Sequence, residues 1–137
     1  MKAVFADTFY WVALTNPNDS SFQAASAFDG FLAGVTIFTT EEVLAELLTF
    51  FAADAWLRIR AAETVHALLS DPAVRVIPQS HESFLAGLDL YAARPDKGYS
   101  LTDCVSMATM RREGLSEALT SDRHFEQEGF RALFRDT

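Results

Sequence analysis

Residues 3–15 read AVFADTFYWVALT. The four apolar residues Ala3–Ala6 run without polar alternation and stop at Asp7, which predicts a short buried strand. The octet TFYWVALT that follows predicts a helix packing back on that strand. A strand feeding directly into a helix is the opening half of a βαβ crossover. The same grammar continues along the chain. NPND (16–19) is a turn in which Asp19 caps a helix running to about Leu32, and GVTIFT (34–39) is a second strand. Thr40 caps a helix through Phe51, and another helix covers roughly 54–69. AVRVIP (73–78) is a third strand ended by proline, with a helix from Ser80 to about Ala93. After the turn RPDKGY, residues 99–114 form a further helix, then EALTSD (117–122) a fourth strand, a short helix, and FRALF (130–134) a fifth strand. Short apolar strands alternating with helices predict an α/β domain, a mainly parallel sheet with helices on both faces, spanning residues 1–137 as one unit. The chain shows no repeats, low-complexity tracts or linkers.

Composition narrows the function classes. A chain of 137 residues, half of them apolar and 22% charged, can bury about two-thirds of its unfolded surface. The longest apolar run, FYWVAL (9–14), is too short to cross a bilayer, and Asp7 interrupts the first hydrophobic stretch. No membrane association, no secretory signal and a cytoplasmic location are therefore expected. The single cysteine, Cys104, has no internal disulfide partner and lies on an apolar helix face, where it is expected to pack in the core. A net charge of −8 argues against nucleic-acid binding by a simple basic surface. Acids clustered around divalent cations would soften that objection. Lys97, Arg111, Arg112 and Arg123 then remain either to guide a phosphate or to stand as ordinary solvated surface.

In a parallel α/β sheet, ligands bind beyond the carboxyl ends of the strands, where the strand order reverses. Asp7 directly follows the first strand and Asp122 the fourth. In YSLTDCVSMATMRREG (99–114), with Leu101 set at zero on a helical wheel, Asp103 falls at about 200°, between Met107 and Met110 on the buried side. In TTEEVLAELLTFF (39–51), Glu46 borders the apolar stripe. Glu42 lies farther toward solvent, as a cap or a residue supporting the site from behind. Each acid has a simpler reading as well. Asp7 and Asp122 suit helix N-caps, Asp103 suits a capping box with Ser100, and Glu46 suits a helix edge with its carboxylate in water. Jointly, four carboxylates aimed at one edge would repel each other and raise their own pKa values unless a cation lay among them. The only lysines are Lys2 and Lys97, and His66, His81 and His124 fall in separate segments without zinc-ligand spacing. The sequence thus predicts a hard divalent cation, Mg2+ or Mn2+, on all-oxygen ligands.

FADTFYWVAL, the Glu of VLAEL, SLTDC and the Asp of LTSDRHF occur in this order. Together they resemble the signatures of PIN-domain ribonucleases, especially the VapC-type toxins of toxin–antitoxin pairs, over nearly the whole chain. The resemblance implies a PIN-like sheet of order 3-2-1-4-5 and an acidic site of Asp7, Glu46, Asp103 and Asp122. It implies hydrolysis of RNA phosphodiesters with one or two Mg2+ or Mn2+ ions, leaving 5′-phosphate and 3′-hydroxyl ends. Ser100 and Thr102 match hydroxyl positions that would orient the carboxylates, and Asp96 matches an acid shortly before them. A small antitoxin covering the active site and a homodimer are the implied partners, for which Phe50, Phe51, Trp56 and Leu57 offer apolar surface or, alternatively, core. One departure is Phe22, where many relatives carry histidine.

Two other classes compete. A non-catalytic PIN-like binding module would tolerate loss of an acid, whereas the set here is complete. A phosphoryl-transfer enzyme of doubly wound fold needs a second acid two residues after Asp7, or a lysine after its last strand. Phe9 stands at the first position and no lysine at the second.

Overall fold

The computed structural model describes residues 2–135. Its five strands are β1 (Ala3–Ala6), β2 (Thr36–Thr40), β3 (Val74–Ile77), β4 (Glu117–Leu119) and β5 (Arg131–Ala132). They form one sheet of order β3-β2-β1-β4-β5 in which every neighbouring pair is parallel. Val4, Phe5 and Ala6 are fully buried. Since successive strand residues point to opposite faces, β1 is covered on both sides, which is why its sequence shows no alternation. The helices are α1 (Thr8–Thr15), α2 (Phe22–Asp29), α3 (Glu41–Phe50), α4 (Ala55–Ser70), α5 (His81–Ala93), α6 (Leu101–Arg112) and α7 (Arg123–Gln127). No helix among the described residues is long and apolar enough to cross a membrane.

Three elements depart from the expected bounds for a clear local reason. The second helix begins at Phe22 rather than near Asp19. Asn16 and Asp19 accept from the amides of Asn18 and Ser21, so the backbone there closes side-chain turns. The fourth strand stops at Leu119, because Thr120 Oγ1 accepts from the amide of Asp122 and bends the chain into α7. The fifth strand keeps only two residues. Beyond it Phe134 packs against Phe9, Tyr10 and Phe28, with ring centroids 5.4, 6.0 and 5.3 Å away.

The architecture positions the site through two features. The strand order reverses between β1 and β4, which lie side by side with Phe5 opposite Ala118 and Ala6 opposite Leu119. A buried hydrogen-bond chain also locks the end of β1. Trp11 Nε1 donates to Thr39 Oγ1 at 3.2 Å, and that hydroxyl donates to the Ala6 carbonyl at 3.0 Å, tying α1 and β2 to the residue before Asp7.

α6 is held by α5 through a close approach at Gly87. A methyl group built there would lie 2.5 Å from Val105 Cγ2 and 3.2 Å from the Val105 amide nitrogen. Gly87→Ala gains up to about 1 kcal/mol of helix propensity. It forces the two helices apart against backbone as well as side-chain atoms, at a cost of roughly 1–3 kcal/mol. The variant is expected to melt several degrees below the parent in a circular dichroism scan. A melting temperature equal to the parent's or higher would show that the helices separate freely.

Candidate active site

Asp7 stands at the N-cap position of α1, yet its side chain makes no capping hydrogen bond. Instead Oδ2 accepts from Thr120 Oγ1 at 2.9 Å, across the β1–β4 seam. Asp7 is almost wholly buried. Its pKa is raised to about 7, first by loss of hydration, then by the charge of Asp103 and more weakly that of Glu46. The Thr120 hydroxyl and the Thr8 amide pull the other way.

Asp103 serves two purposes. Ser100 and Asp103 form a reciprocal capping box at the start of α6, with Ser100 Oγ accepting from the Asp103 amide at 3.0 Å and Asp103 Oδ2 from the Ser100 amide at 3.3 Å. The same carboxylate faces Asp122. Burial raises its pKa, as do the charges of Asp122 and Glu46, against the Ser100 amide and His124. Asp122 caps α7, its Oδ1 accepting from the His124 amide at 2.9 Å. The capping readings of Asp103 and Asp122 are thus correct as far as they go, and both carboxylates still keep lone pairs for other work, since each oxygen accepts more than one bond.

One ligand atom each from Asp103, Asp122 and His124 lie within 4.8 Å of one another. Here the structure corrects the expectation that no histidine sits among the acids. His124 Nδ1 is 3.4 Å from Asp122 Oδ1 and 3.6 Å from Asp103 Oδ2. Its sequence signal is its place two residues after Asp122, in the first turn of α7. Glu46 is exposed, and its Oε1 accepts from Thr8 Oγ1 at 2.5 Å, so the residue after Asp7 holds the fourth acid. Thr8 and Thr120 are positioning residues that sequence reading missed. Each is a small hydroxyl one or two places from an acid.

The remaining expected residues lie at various distances from this centre. Thr102 is half-buried and lines a cavity of about 280 Å3 together with Glu42, Phe84 and Leu101. Glu42 accepts from Ser83 Oγ at 3.1 Å, linking α3 to α5 rather than to the other acids. Asp96 is exposed on the turn before α6 and pairs with Lys97 at 3.8 Å. Arg123 is exposed at the first residue of α7, beside Asp122. Arg111 and Arg112 belong to the last turn of α6, and Arg111 is about 12 Å along the axis from Asp103 at 1.5 Å per residue. Arg111 is moreover committed to Glu128, as is Arg94. Glu128 accepts from Arg94 at 2.9 and 3.0 Å, from Arg111 at 2.7 Å and from Tyr99 Oη at 3.1 Å.

The donor chemistry suits a divalent cation. Carboxylates of raised pKa converge at the strand-order reversal, and no lysine or arginine pairs with any of them among the described residues. A PIN domain family model matches residues 4–130.

The chain belongs to the PIN domain family.

Within that family it is 28% identical over 127 residues to the 23S rRNA-specific endonuclease VapC20 of Mycobacterium tuberculosis, covering 93% of this chain and 95% of the relative. The crystal structure of that protein, described as a sarcin-ricin loop cleaving toxin, superposes on this PIN domain with a TM-score of 0.82 at 24% identity, over 93% of this chain and 95% of the other. VapBC2 from Rickettsia felis, solved bound to a DNA fragment from its promoter, gives a TM-score of 0.68 at 16% identity, over 95% and 96% of the two chains. These two likenesses are of fold. The sheet order and the parallel pairing match what the PIN resemblance implied, and PIN membership removes the doubly wound phosphoryl-transfer alternative.

Proposed function

We propose that this PIN domain is a metal-dependent endoribonuclease, the toxin of a VapBC-type toxin–antitoxin module, cleaving RNA to 5′-phosphate and 3′-hydroxyl ends. The observation that carries the reading is the group formed by Asp7, Asp103 and Asp122 at the β1–β4 reversal, where among the described residues no lysine or arginine pairs with any of the three carboxylates. VapC20, similar along nearly its whole length, is named for endonuclease action on rRNA. Asp7, Asp103 and Asp122 hold one or two Mg2+ or Mn2+ ions, with Glu46 at the outer side. A bound divalent ion supplies a Lewis acid that makes a water nucleophile available near neutral pH and offsets charge on the phosphate. Thr120 orients Asp7, Thr8 orients Glu46, and Ser100 fixes Asp103 through its amide. Arg123 is the cation best placed to guide the RNA backbone.

The VapC likeness supplies the partners, a small antitoxin and a second copy of this chain. Phe51 is buried and Leu57 packs against the core, so of the four apolar residues expected to offer surface only Phe50 and Trp56 are exposed. Leu48 and Ile59 are also exposed on α3 and α4, and Phe84, Leu85, Leu88 and Tyr91 form an apolar face on α5.

Purified protein with Mg2+ or Mn2+ is expected to cut RNA and leave ends ligatable through a 5′-phosphate, with no cutting in chelator. Asp103→Asn is expected to lose cleavage by on the order of a hundredfold or more, equivalent to about 3 kcal/mol of barrier. Full activity in chelator, or in this variant, would overturn the assignment.

A further inference from the structure

The ring of His124 is 29% exposed, yet its Nδ1 is shut off from solvent and has no hydrogen-bond partner. Buried polar atoms without partners are rare in folded proteins, and each one calls for an explanation. Two carboxylate oxygens face this nitrogen, Asp122 Oδ1 at 3.4 Å and Asp103 Oδ2 at 3.6 Å, beyond the range and direction of a good N–H···O bond. Those separations suit a different relation. Adjacent ligands on an octahedral ion with bonds of about 2.1 Å stand about 3 Å apart, and opposite ligands about 4.2 Å. Nδ1 therefore stands from each of these oxygens at a spacing between those of neighbouring and opposite corners of one coordination shell, and one ligand atom from each of the three residues lies within 4.8 Å of the others. The ring is also held in place. Tyr99 packs against it with centroids 5.2 Å apart, and the Tyr99 hydroxyl is anchored on Glu128.

We propose that His124 is a direct metal ligand through Nδ1, making this a mixed nitrogen and oxygen site that prefers Mn2+ to Mg2+. The inference rests on the metal-site reading above and replaces its all-oxygen donor set. Imidazole is a softer donor than carboxylate, and Mg2+ holds to oxygen and water. A nitrogen at one corner costs Mg2+ more than it costs a first-row transition ion. The neutral ring, protonated at Nε2, presents the Nδ1 lone pair to the ion.

The test uses the whole chain with Mn2+ as probe, read by electron spin echo spectroscopy and calorimetry rather than by cleavage. The parent is expected to show directly bound nitrogen on Mn2+. In His124→Ala that coupling disappears, Mn2+ affinity falls roughly 10- to 100-fold, and the preference for Mn2+ over Mg2+ narrows. His124→Asn, with fold checked by circular dichroism, should give the same spectroscopic loss. Mn2+ bound by the parent without nitrogen coupling, or bound equally by parent and variants, overturns the inference and leaves the metal site standing. No saturable Mn2+ binding by the parent overturns both.

Discussion

Replacing Asp7 by asparagine is expected to abolish RNA cleavage and, in the metal-free protein at neutral or higher pH, to raise the stability of the fold. The two effects share one cause. Asp7 is almost wholly buried and its pKa is lifted from 3.8 to about 7, chiefly by burial and then by Asp103. For an acid whose pKa is higher in the folded than in the unfolded chain, the folded state holds the extra proton between those two values. Stability therefore falls as pH rises from about 4 to about 7 and stays low above that. At about 1.4 kcal/mol per unit the ceiling of this loss is about 4 kcal/mol. Asparagine has nearly the same shape, keeps an oxygen for the Thr120 hydroxyl and carries no charge, so it escapes the penalty. Melting curves of parent and Asp7→Asn without metal should diverge by several degrees at pH 8 and converge at pH 4. Added Mn2+ should narrow the gap, because the ion stabilises the parent alone. Cleavage should fall by on the order of a thousandfold, about 4 kcal/mol of barrier. An Asp7→Asn protein that melts below the parent at pH 8 without metal would mean that Asp7 contributes to folding rather than to binding.

The second large effect is expected at Glu128, outside the acidic centre. Burial pushes its carboxyl upward, but hydrogen bonds from Arg94, Arg111 and Tyr99 together outweigh that and hold its pKa down at about 2. Removing one partner of a fully buried ion pair costs roughly 3–5 kcal/mol. The Arg94 and Arg111 side chains are 38% and 48% exposed, so water relieves part of their loss, and about 2 kcal/mol is expected for Glu128→Gln. The sign with pH is opposite to that of Asp7. A carboxyl with a lowered folded-state pKa contributes fully above about 4.5 and loses its contribution as pH falls toward 2. Parent and variant should therefore differ most in melting temperature at neutral pH and come together in acid. Glu128 also anchors Tyr99, whose hydroxyl is pushed up to about 12 by burial and then by this contact. Tyr99 precedes the Ser100 cap and packs on His124, so Glu128→Gln should also weaken Mn2+ binding. A variant with unchanged melting and unchanged metal affinity would show that the clamp holds nothing the site needs.

Much of the fold was legible because β1 is buried on both faces and its residues show it without interruption. The strand order was not legible from periodicity, which is blind to which strands pair; it came through the PIN resemblance. Asp7, Asp103 and Asp122 could be read because strand ends and helix starts are places that sequence grammar marks. His124 carries no metal-ligand spacing with the other histidines, because its partners in space are aspartates. Thr8 and Thr120 carry no signal beyond being small and next to acids. Arg111 illustrates the opposite error: a surface arginine with a plausible role toward phosphate is bound to a buried glutamate 17 residues later, a contact that only the tertiary structure creates.

The seam between β1 and β4 has a consequence for how such a protein is made. β1 is translated before the other strands, but its neighbour on one side is specified by residues 117–119, and Asp7 finds Thr120 113 positions farther along the chain. A nascent polypeptide lacking β4 and the residues after it has neither Asp122 nor the hydroxyl that orients Asp7, so the acidic group cannot assemble in it. The candidate site is therefore completed only late in synthesis, once the segment after β4 has been made.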